Sequence, residues 1–540
     1  MPSQALEECR ICKSRDIKFL RELESLINKE LIKYFYCENC KTILDEKGIP
    51  PSYKVIEENV KFNNIDFIRF YTEIGAGLDM PAAILSCAKT IFKNRKTQIK
   101  HLDIGAGFGF TVALAESLGW DTIGLEPSKM GEAGKEILGV PIKFSYLEEA
   151  KIEKNSLDFI TSSEVIEHVK DPKEFLVSIY NHLKPDGIMA ITTPNSEPLI
   201  GDPPEENEWL EAMNAGYHLN ILSQKSLELL LKDSGFKSMK FFFDGGTSGK
   251  KHIILFASPS PLITFDNLNY KREFENGNNI LENFYKKTIK ERRKNTDDII
   301  YPGIVFRLFE LLVNQGRYQE AEKEMQKLDR IIDKKGIKQE KLLNLEASNF
   351  SEYMSKVPAF MGKYLFFKGM YYLNGTDDSN SAVKYFEIAK HLFSLEEKVG
   401  YFSSACWKER AELHVGIALL KSQRRHKSIE IFNKLLSQKD TLPEDIRESA
   451  LWHKGVAHLQ LNENVPALSA FSTLFLNKNP HLGEDEKRYI QHFILTISQF
   501  FMTLQQPTNS VFPKIEEISL NIKKIEERLY SIEKYLKELK

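Results

Sequence analysis

The feature that most constrains the fold is a glycine-rich turn between a short apolar run and an amphipathic helix. Residues 101–104 (HLDI) predict a buried strand, three glycines follow within 105–109, and a helix is predicted over 110–118. Glycines directly after a first strand let backbone N–H groups and a helix N-terminus approach a cofactor closely. The next predicted strand, 122–125, ends in Glu126, where an acid can hold a ribose diol. The combination predicts a cofactor-binding α/β domain.

The α/β pattern continues well beyond this turn. From about residue 100 to 260, short apolar runs alternate with amphipathic helices, as in domains built on a parallel sheet. Late in this stretch, DGGTSGKK (244–251) separates the predicted strands 240–243 and 252–256. Because it lacks the spacing of a phosphate-binding loop, we interpret it as a hairpin turn.

The glycine spacing separates two kinds of cofactor. Dinucleotide-binding folds carry G-x-G-x-x-G, whereas this chain has D-x-G-x-G-x-G from Asp103 to Gly109. The latter resembles motif I of class I S-adenosylmethionine-dependent methyltransferases. Further segments similar to that family follow in its order: GLEPS (124–128), LDFI (157–160), EVIEH (164–168), LKPDGI (183–188), TPN (193–195), YH (217–218), LS (222–223) and GF (235–236). The resemblance implies a Rossmann-like domain over 100–260, with a mostly parallel seven-stranded sheet.

The resemblance also implies roles for the residues of the first two strands. Asp103 would orient the loop and the methionine end of S-adenosylmethionine. Gly105, Gly107 and Gly109 would pass close to the cofactor. Glu126 would hold the ribose hydroxyls.

Residues after the third and fourth strands complete the implied cofactor site. Tyr146 or Leu147 would lie beside the adenine, although the acid often found there in the family is missing from this sequence. Ser163 and Glu164, which leave the fourth strand, would face the cofactor and the substrate entrance.

Glu164, Glu167 and His168 form an E-x-x-E-H pattern. It resembles the metal-binding motif of ubiquinone-pathway O-methyltransferases and of small-RNA 3′-end 2′-O-methyltransferases. In the latter a downstream histidine completes the site, and His218 is the candidate here. Such a site would bind a divalent ion, Mg²⁺ or Mn²⁺, that activates an acceptor hydroxyl. Alternatively, Glu167 and His168 only begin the next helix, and His218 only shapes the pocket; without metal, His168 or His218 is the candidate general base.

Four of the six cysteines fall within the first forty residues, as two Cys-x-x-Cys pairs. Cys9 and Cys12 form one pair, and Cys37 and Cys40 form the other. This arrangement predicts a zinc-ribbon-like domain over 1–50 in which four thiolates hold a structural zinc ion. Two disulfides or unrelated thiols are the alternative, but disulfides are uncommon in a cytosolic chain.

The remaining segments are predicted to be helical or polar. A helical connector spans 51–99, and a polar linker spans 261–300. Residues 301–505 read as degenerate tetratricopeptide-like repeats, in which a glycine and a phenylalanine recur, as in the pairs Gly416–Phe432 and Gly455–Phe471. Stacked helix pairs of this kind usually bind a protein partner, although they can also serve only as a scaffold.

A coiled coil is predicted over 513–540. Isoleucines and leucines alternate there at spacings of three and four residues, which is an a/d seam sustained over more than three heptads. Because such a narrow seam needs a partner helix, we expect a homo-oligomer, dimer or trimer. Docking of this helix onto the repeats is the alternative.

Charge composition and the lack of long apolar runs bear on the partners and the cellular location of the protein. The chain of 540 residues has 74 Lys and Arg against 76 Asp and Glu, which counts against nucleic acid as a partner. No run is long and apolar enough to span a membrane, and the N-terminus lacks the apolar core of a secretory signal, so we expect a cytoplasmic protein.

The sequence therefore predicts an S-adenosylmethionine-dependent methyltransferase that acts on a hydroxyl or carbon of a small molecule or glycan. A four-cysteine segment ahead of such a domain resembles sugar-nucleotide C-methyltransferases, although repeats replace their usual C-terminal domain. Two alternatives remain open. One is an enzyme similar to RNA 3′-end 2′-O-methyltransferases, and the other is a non-enzymatic repeat scaffold with a cofactor-sensing domain.

Overall fold

A computed structural model describes residues 6–51, 64–200, 206–244, 250–294, 298–400, 406–438 and 442–478. Within these residues the chain forms two compact units. The first takes in residues up to 377 together with 391–400, and the second takes in 378–390 together with 406–478.

The strands of the first unit form two sheets. In chain order they are β1 Ile17–Glu24, β2 Leu31–Cys37, β3 Ile43–Asp45, β4 Lys100–Ile104, β5 Asp121–Leu125, β6 Ile142–Lys143, β7 Leu157–Ser163, β8 Leu183–Pro194, β9 Asn220–Ile221, β10 Ser238–Asp244 and β11 His252–Ser258. One sheet has the order β10-β11-β8-β7-β4-β5-β6, and the other has the order β1-β2-β3-β9.

The larger sheet is mixed, which corrects the expectation of a mostly parallel sheet. Strands β8, β7, β4, β5 and β6 pair in parallel, but β11 is antiparallel to both of its neighbours, β10 and β8. The physical reason is the short connection between β10 and β11, since a connection of hairpin length can only join antiparallel strands. The predicted antiparallel pairing of these two strands is confirmed, and it makes the sheet mixed; residues 245–249 of the predicted turn lie outside the described residues.

The helices in chain order are α1 Asn64–Ile74, α2 Asp79–Ile91, α3 Phe110–Ser117, α4 Lys129–Leu138, α5 Pro172–His182, α6 Glu206–Met213, α7 Gln224–Asp233, α8 Tyr270–Arg292, α9 Tyr301–Asn314, α10 Tyr318–Lys334, α11 Phe350–Lys356, α12 Met361–Met370, α13 Ser379–Lys398, α14 Trp407–Lys421, α15 Arg425–Leu436, α16 Glu444–Gln460 and α17 Asn464–Lys478. Short 3₁₀ turns lie at Glu197–Leu199 and Gln339–Asn344, and a wider helical turn lies at Tyr371–Gly375.

The core of the first unit lies on both faces of the larger sheet. Its central strands are buried on both faces, as continuous apolar runs of a parallel sheet require. Leu102, Ile160 and Met189 from three adjacent strands are fully buried in one cluster, to which α5 and α7 add apolar side chains such as Leu176 and Leu231.

The smaller sheet joins segments that are far apart in the sequence. Strand β3 pairs antiparallel with β9, through Ile43 with Ile221 and Leu44 with Asn220. Tyr34 and Ile43 share a buried cluster with Trp209 and Met213 of α6. The N-terminal residues are therefore packed into the segment that lies between β8 and α7.

Small residues in the second unit accept large rings. A Cβ atom on Gly416 would lie 2.5 Å from the ring of Phe432, and one on Gly455 would lie 2.6 Å from the ring of Phe471. These contacts link α14 to α15 and α16 to α17. The assignment to tetratricopeptide-like repeats stays a prediction, and the predicted coiled coil at 513–540 lies outside the described residues. Among the described helices, none has the length and apolar character needed to cross a membrane.

Replacement of Phe432 by alanine should destabilise the second unit. Its side chain is fully buried beside Gly416, with Leu413, Leu435 and Ile446 in the same cluster. We expect a loss of about 3–5 kcal/mol in the free energy of unfolding, because a ring-sized cavity remains. Urea unfolding of the full chain would measure it. The matched change Val465→Ala, at a side chain that is 77% exposed, should have little effect; equal effects would contradict the packing.

Candidate active site

The glycine turn adopts a backbone conformation that is unfavourable for residues with a side chain. Gly105, Gly107 and Gly109 all have positive φ, at 72°, 52° and 81°, a region that favours glycine. A Cβ atom on Gly105 would also lie 2.4 Å from the Val165 side chain. Val165 follows β7, so the glycine turn after β4 and the E-x-x-E-H segment are in contact at the carboxyl ends of neighbouring strands.

Glu126 closes the same turn from the end of β5. Its two carboxylate oxygens accept backbone N–H groups, one from Gly107 and one from Ser128, both at 2.9 Å. The side chain is largely buried. An acid held by two backbone donors keeps a fixed orientation, with further lone pairs available to the hydroxyls of a ligand.

Asp103 lies behind the turn in a buried hydrogen-bonded chain. Thr161 Oγ1 donates to Asp103 Oδ1 at 2.6 Å, and His101 Nε2 lies 2.8 Å from the same threonine oxygen. The single hydroxyl proton of Thr161 goes to the carboxylate, so the imidazole Nε2–H donates to Thr161, and Thr122 donates to His101 Nδ1 at 2.7 Å. Burial lowers the pKa of His101 to about 3 and raises the pKa of Asp103 to about 7.

The two residues predicted to lie beside the adenine differ in burial. Tyr146 is half-exposed, whereas Leu147 is buried in the core cluster. Sequence reasoning missed an aromatic wall, in which the rings of Phe67 and Tyr71 on α1 pack edge-to-face on Phe108 at 5.8 and 5.5 Å. Phe108 lies within the glycine turn, so α1 buttresses it.

Ser163 ends β7 and Glu164 follows it, with its carboxylate held by residues outside its own motif. Its φ is 54°, which is unusual for a residue with a side chain. Glu164 Oε1 accepts a hydrogen bond from Thr192 Oγ1 at 2.9 Å and lies 3.5 Å from His252 Nδ1. Burial acts to raise the pKa of Glu164, but His252 and Thr192 outweigh it and lower this pKa.

His252 was missed by sequence reasoning, which treated it only as the start of a strand. The antiparallel register of β11 on β8 places His252 opposite Pro194, next to the end of β7. The sequence offered one signal, a histidine that opens a strand after a glycine-rich segment. This signal does not indicate a contact with Glu164 until the pairing of β11 with β8 is known.

Glu167, His168 and His218 come together. Each offers one ligand-type atom, and these atoms all lie within 4.8 Å of one another. The two imidazole rings meet edge-to-face with centroids 4.7 Å apart. Glu167 and His168 lie in a turn that precedes α5, whose N-cap is Asp171, so they do not belong to the helix.

The hydrogen bonds of this cluster fix its proton positions. His168 Nδ1 contacts the carbonyl oxygen of Tyr217 at 2.9 Å, and His218 Nδ1 contacts that of Ala212 at 2.8 Å. Each Nδ1–H therefore donates to the backbone, which leaves both Nε2 atoms unprotonated. Asn214 Nδ2 donates a long hydrogen bond of 3.5 Å to Nε2 of His218. Burial lowers the pKa of both imidazoles, that of His218 to about 4, so both are neutral at pH 7.

The carboxylate of Glu167 is only half satisfied. Thr193 Oγ1 donates to Oε2 at 3.0 Å, while the buried Oε1 meets no hydrogen-bond donor among the described residues. Burial, followed by the charge of Glu164, raises the pKa of Glu167 well above its usual value. An orphaned carboxylate oxygen beside two imidazole lone pairs is a donor set that fits a divalent cation.

The four N-terminal cysteines also converge. The Sγ atoms of Cys9, Cys12, Cys37 and Cys40 lie within 4.8 Å of one another, with pairs at 3.5 Å (Cys9–Cys40) and 3.6 Å (Cys12–Cys37). All four are free thiols in the structure. Sulfurs bound to tetrahedral zinc at about 2.3 Å lie nearly 4 Å apart, so this cluster fits a four-thiolate zinc site.

Comparison with known proteins agrees with the fold. Residues 79–240 match a family described as a methyltransferase domain. Ubiquinone biosynthesis O-methyltransferases are similar: that of Rickettsia typhi is 30% identical over 107 residues, 19% of this chain and 44% of the relative. That of Parvibaculum lavamentivorans is 29% identical over 143 residues, 25% of this chain and 53% of the relative. The chain thus spans about half the length of these curated relatives.

A solved structure of Haemonchus contortus phosphoethanolamine N-methyltransferase 2 with S-adenosyl-L-methionine is also similar. Its TM-score is 0.32 at 17% identity, over 45% of this chain and 71% of that chain. The match to the methyltransferase-domain family spans residues 79–240 of this chain. The glycine turn, Glu126 and the E-x-x-E-H segment all fall inside it.

The raised pKa of Asp103 predicts how the stability of the ligand-free protein depends on pH. The folded state keeps a proton on Asp103 up to about pH 7, whereas an unfolded aspartate loses it near pH 4. Stability from this group is thus full below pH 4 and is lost as pH rises towards 7. Asp103→Asn stays neutral at every pH, so its free energy of unfolding relative to that of wild type should rise from pH 5 to pH 8, by about 2.5 kcal/mol.

Urea unfolding of both proteins at the two pH values would measure this difference. The control, Asp233→Asn, replaces a carboxylate by an amide on a side chain that is 64% exposed. It should show nearly the same difference from wild type at both pH values. A pH-independent difference for Asp103→Asn would contradict burial of an ionisable carboxyl at this position.

Proposed function

We propose that the protein transfers a methyl group from S-adenosylmethionine to an oxygen of a small molecule or glycan. The observation that carries this proposal is the contact between the glycine turn and the segment of Glu167 and His168, through Gly105 and Val165. It brings a cofactor cradle and a cluster of oxygen- and proton-handling groups to one edge of the sheet, where ligands of open α/β sheets bind.

Residues of the cofactor half have distinct tasks in this proposal. Bound S-adenosylmethionine supplies the electrophilic methyl group. Glu126, already oriented by two backbone donors, would accept from the ribose hydroxyls. In its carboxylate form, Asp103 would favour the positively charged methionine end of the cofactor. Thr161 and His101 hold the Asp103 side chain in position. The half-exposed Tyr146 is the better candidate beside the adenine, since Leu147 is buried.

The acceptor half would hold the nucleophile. We propose that Glu167 Oε1 and the Nε2 atoms of His168 and His218 are ligands of a divalent ion. Held by these three atoms, such an ion would lower the pKa of an acceptor hydroxyl. Two imidazoles beside one carboxylate suit Mn²⁺ better than Mg²⁺, which prefers oxygen ligands. Glu164 would remain outside this ligand set, paired with His252.

A metal-free version of the site assigns the same histidines to proton transfer. Both are neutral at pH 7 with an unprotonated Nε2, as a general base must be. His168 is the more accessible of the two, with a side chain that is 35% exposed, whereas His218 is buried. In that version His168 accepts the acceptor proton, and His218 shapes the pocket.

The N-terminal cysteines and the helical half have supporting roles in the proposal. Cys9, Cys12, Cys37 and Cys40 would hold a structural zinc ion, since four thiolates leave no open position for a substrate. The repeats would bind a protein partner, and the segment 513–540 would form a homo-oligomer.

S-adenosylmethionine binding tests the cofactor half. We expect Asp103→Ala and Glu126→Ala each to weaken binding at least about tenfold, because hydrogen bonds to charged groups contribute about 1.5–3 kcal/mol. Glu126→Gln should lie between the alanine variant and wild type, since it keeps one acceptor oxygen. Isothermal titration calorimetry measures the affinities. Glu132→Ala, at an exposed position of α4, is the control; unchanged binding in both alanine variants would refute the cofactor site.

Methyl transfer and Mn²⁺ binding test the acceptor half. Wild type should bind one Mn²⁺ detectable by electron paramagnetic resonance, and Glu167→Ala and His218→Ala should each weaken this binding by about 10–100-fold.

Cell extracts incubated with methyl-labelled S-adenosylmethionine should yield a labelled small molecule or glycan, and chelation should abolish labelling. Labelling that survives chelation but not His168→Ala favours the metal-free base. Labelled RNA would select the RNA alternative, and no labelled product at all would favour the non-enzymatic scaffold.

A further inference from the structure

Arg10 lies between the two cysteines of the first pair, yet its guanidinium reaches the methyltransferase domain. Nη2 donates to the carbonyl oxygen of Leu219 at 2.8 Å and lies 3.4 Å from Asn220 Oδ1. Nη1 and Nη2 also donate to the backbone carbonyl and the carboxylate of Asp45, at 2.8 and 2.9 Å. Arg10 is therefore clamped between the cysteine cluster and the residues that follow His218.

The cradle for this guanidinium is built into the N-terminal segment. Gly48 has a φ of 60°, and a Cβ atom there would lie 2.7 Å from Arg10 Nη1. The Gly48 amide donates to Asp45 Oδ1 at 2.7 Å, so the turn fixes the carboxylate that pairs with Arg10. Only a residue without a side chain leaves this space free.

Other contacts from the N-terminal segment surround the residues on both sides of His218. Leu26 N–H donates to the Ala215 carbonyl at 2.9 Å, and Asp45 N–H donates to that of Leu219 at 3.1 Å. Beyond β9, Ser223 Oγ donates to the carbonyl of Cys40 at 2.6 Å. The N-terminal segment thus holds residues 215–223 at three places: Leu26 at Ala215, Arg10 with Asp45 at Leu219, and Cys40 at Ser223.

This segment fixes the imidazoles of the candidate acceptor site. The Tyr217 carbonyl accepts from His168 Nδ1, and His218 itself is the next residue. The amides of Leu219 and Asn220 both donate to the Glu167 carbonyl, at 2.9 and 3.2 Å. A shift of the segment would move both histidines relative to Glu167.

We propose that Arg10 is a positioning residue for the acceptor site, through which the cysteine cluster holds His168 and His218 in place. The inference rests on the proposed function, because it assigns a role to the cluster of Glu167, His168 and His218. The N-terminal cysteine segment is on this view a part of the acceptor site. The cofactor half, built from β4, β5 and the glycine turn, does not depend on it.

The test compares Arg10→Ala, Arg10→Lys and Arg15→Ala in the full chain. Arg15 is an exposed arginine of the same segment and serves as the control. Hydrogen exchange by mass spectrometry follows the amides of residues 214–223, calorimetry measures S-adenosylmethionine affinity, and electron paramagnetic resonance measures Mn²⁺ affinity. Metal analysis and circular dichroism report whether the cysteine cluster and the fold are retained.

We expect Arg10→Ala to keep the zinc content and the S-adenosylmethionine affinity of wild type. Amide exchange at residues 214–223 should accelerate, and Mn²⁺ affinity should fall at least about tenfold. Arg10→Lys, which keeps one charged donor, should recover part of both losses, and Arg15→Ala should match wild type. Unchanged exchange at 214–223 in Arg10→Ala would overturn the proposal. If wild type binds no Mn²⁺, the proposed ion is wrong, and the exchange rates alone decide the role of Arg10.

If Arg10→Ala loses zinc or fails to fold, Gly48→Ala provides the second variant. It keeps Arg10 but places a methyl group against its guanidinium. Faster exchange at 214–223 with retained metal supports the positioning role, and wild-type exchange contradicts it.

Discussion

The carbonyl group of Glu167 accepts two successive amides, those of Leu219 and Asn220, and the candidate acceptor site depends on this interaction. It joins the turn after β7 to strand β9, although about fifty residues of chain separate them. Because a buried carbonyl needs hydrogen-bond donors, this pairing fixes the distance between the two segments. His168 directly follows Glu167 and His218 directly precedes Leu219, so the backbone contact also brings the two imidazole rings close together.

The charge state of this cluster follows from burial. Burial keeps both imidazoles neutral and favours the protonated form of Glu167. A buried carboxyl without a cationic partner takes up a proton because the charged form is costly in a low dielectric. A divalent cation would replace that proton and remove the cost. Because the carboxyl must lose its proton before it can bind a cation, binding at this site would release a proton and would strengthen as the pH rises.

Sequence reasoning predicted what short stretches of chain determine. The strand at 100–104, the glycine turn and the helix after it are local, because strand burial, positive φ and helix start lie within twenty residues. The mixed character of the sheet was missed, although the hairpin behind it was predicted. The contact of His252 with Glu164 depends on the register between β8 and β11, which no periodic pattern in either strand specifies. The two-residue strand β9 is too short to leave any pattern.

The two halves of the candidate site are held by different kinds of interaction. The cofactor half depends on contacts within the α/β domain, such as the Gly107 and Ser128 amides on Glu126 and the Thr161 hydroxyl on Asp103. The acceptor half depends on residues from the other end of the domain, since β3 pairs with β9 and Arg10 binds the Leu219 carbonyl. Loop-closure entropy opposes such distant contacts. A cross-link among the four cysteines would fix the conformation of the N-terminal segment itself, so that less conformational entropy is lost when Arg10 and β3 make them. Four cysteines that bind one ion would therefore stabilise the acceptor half more than the cofactor half.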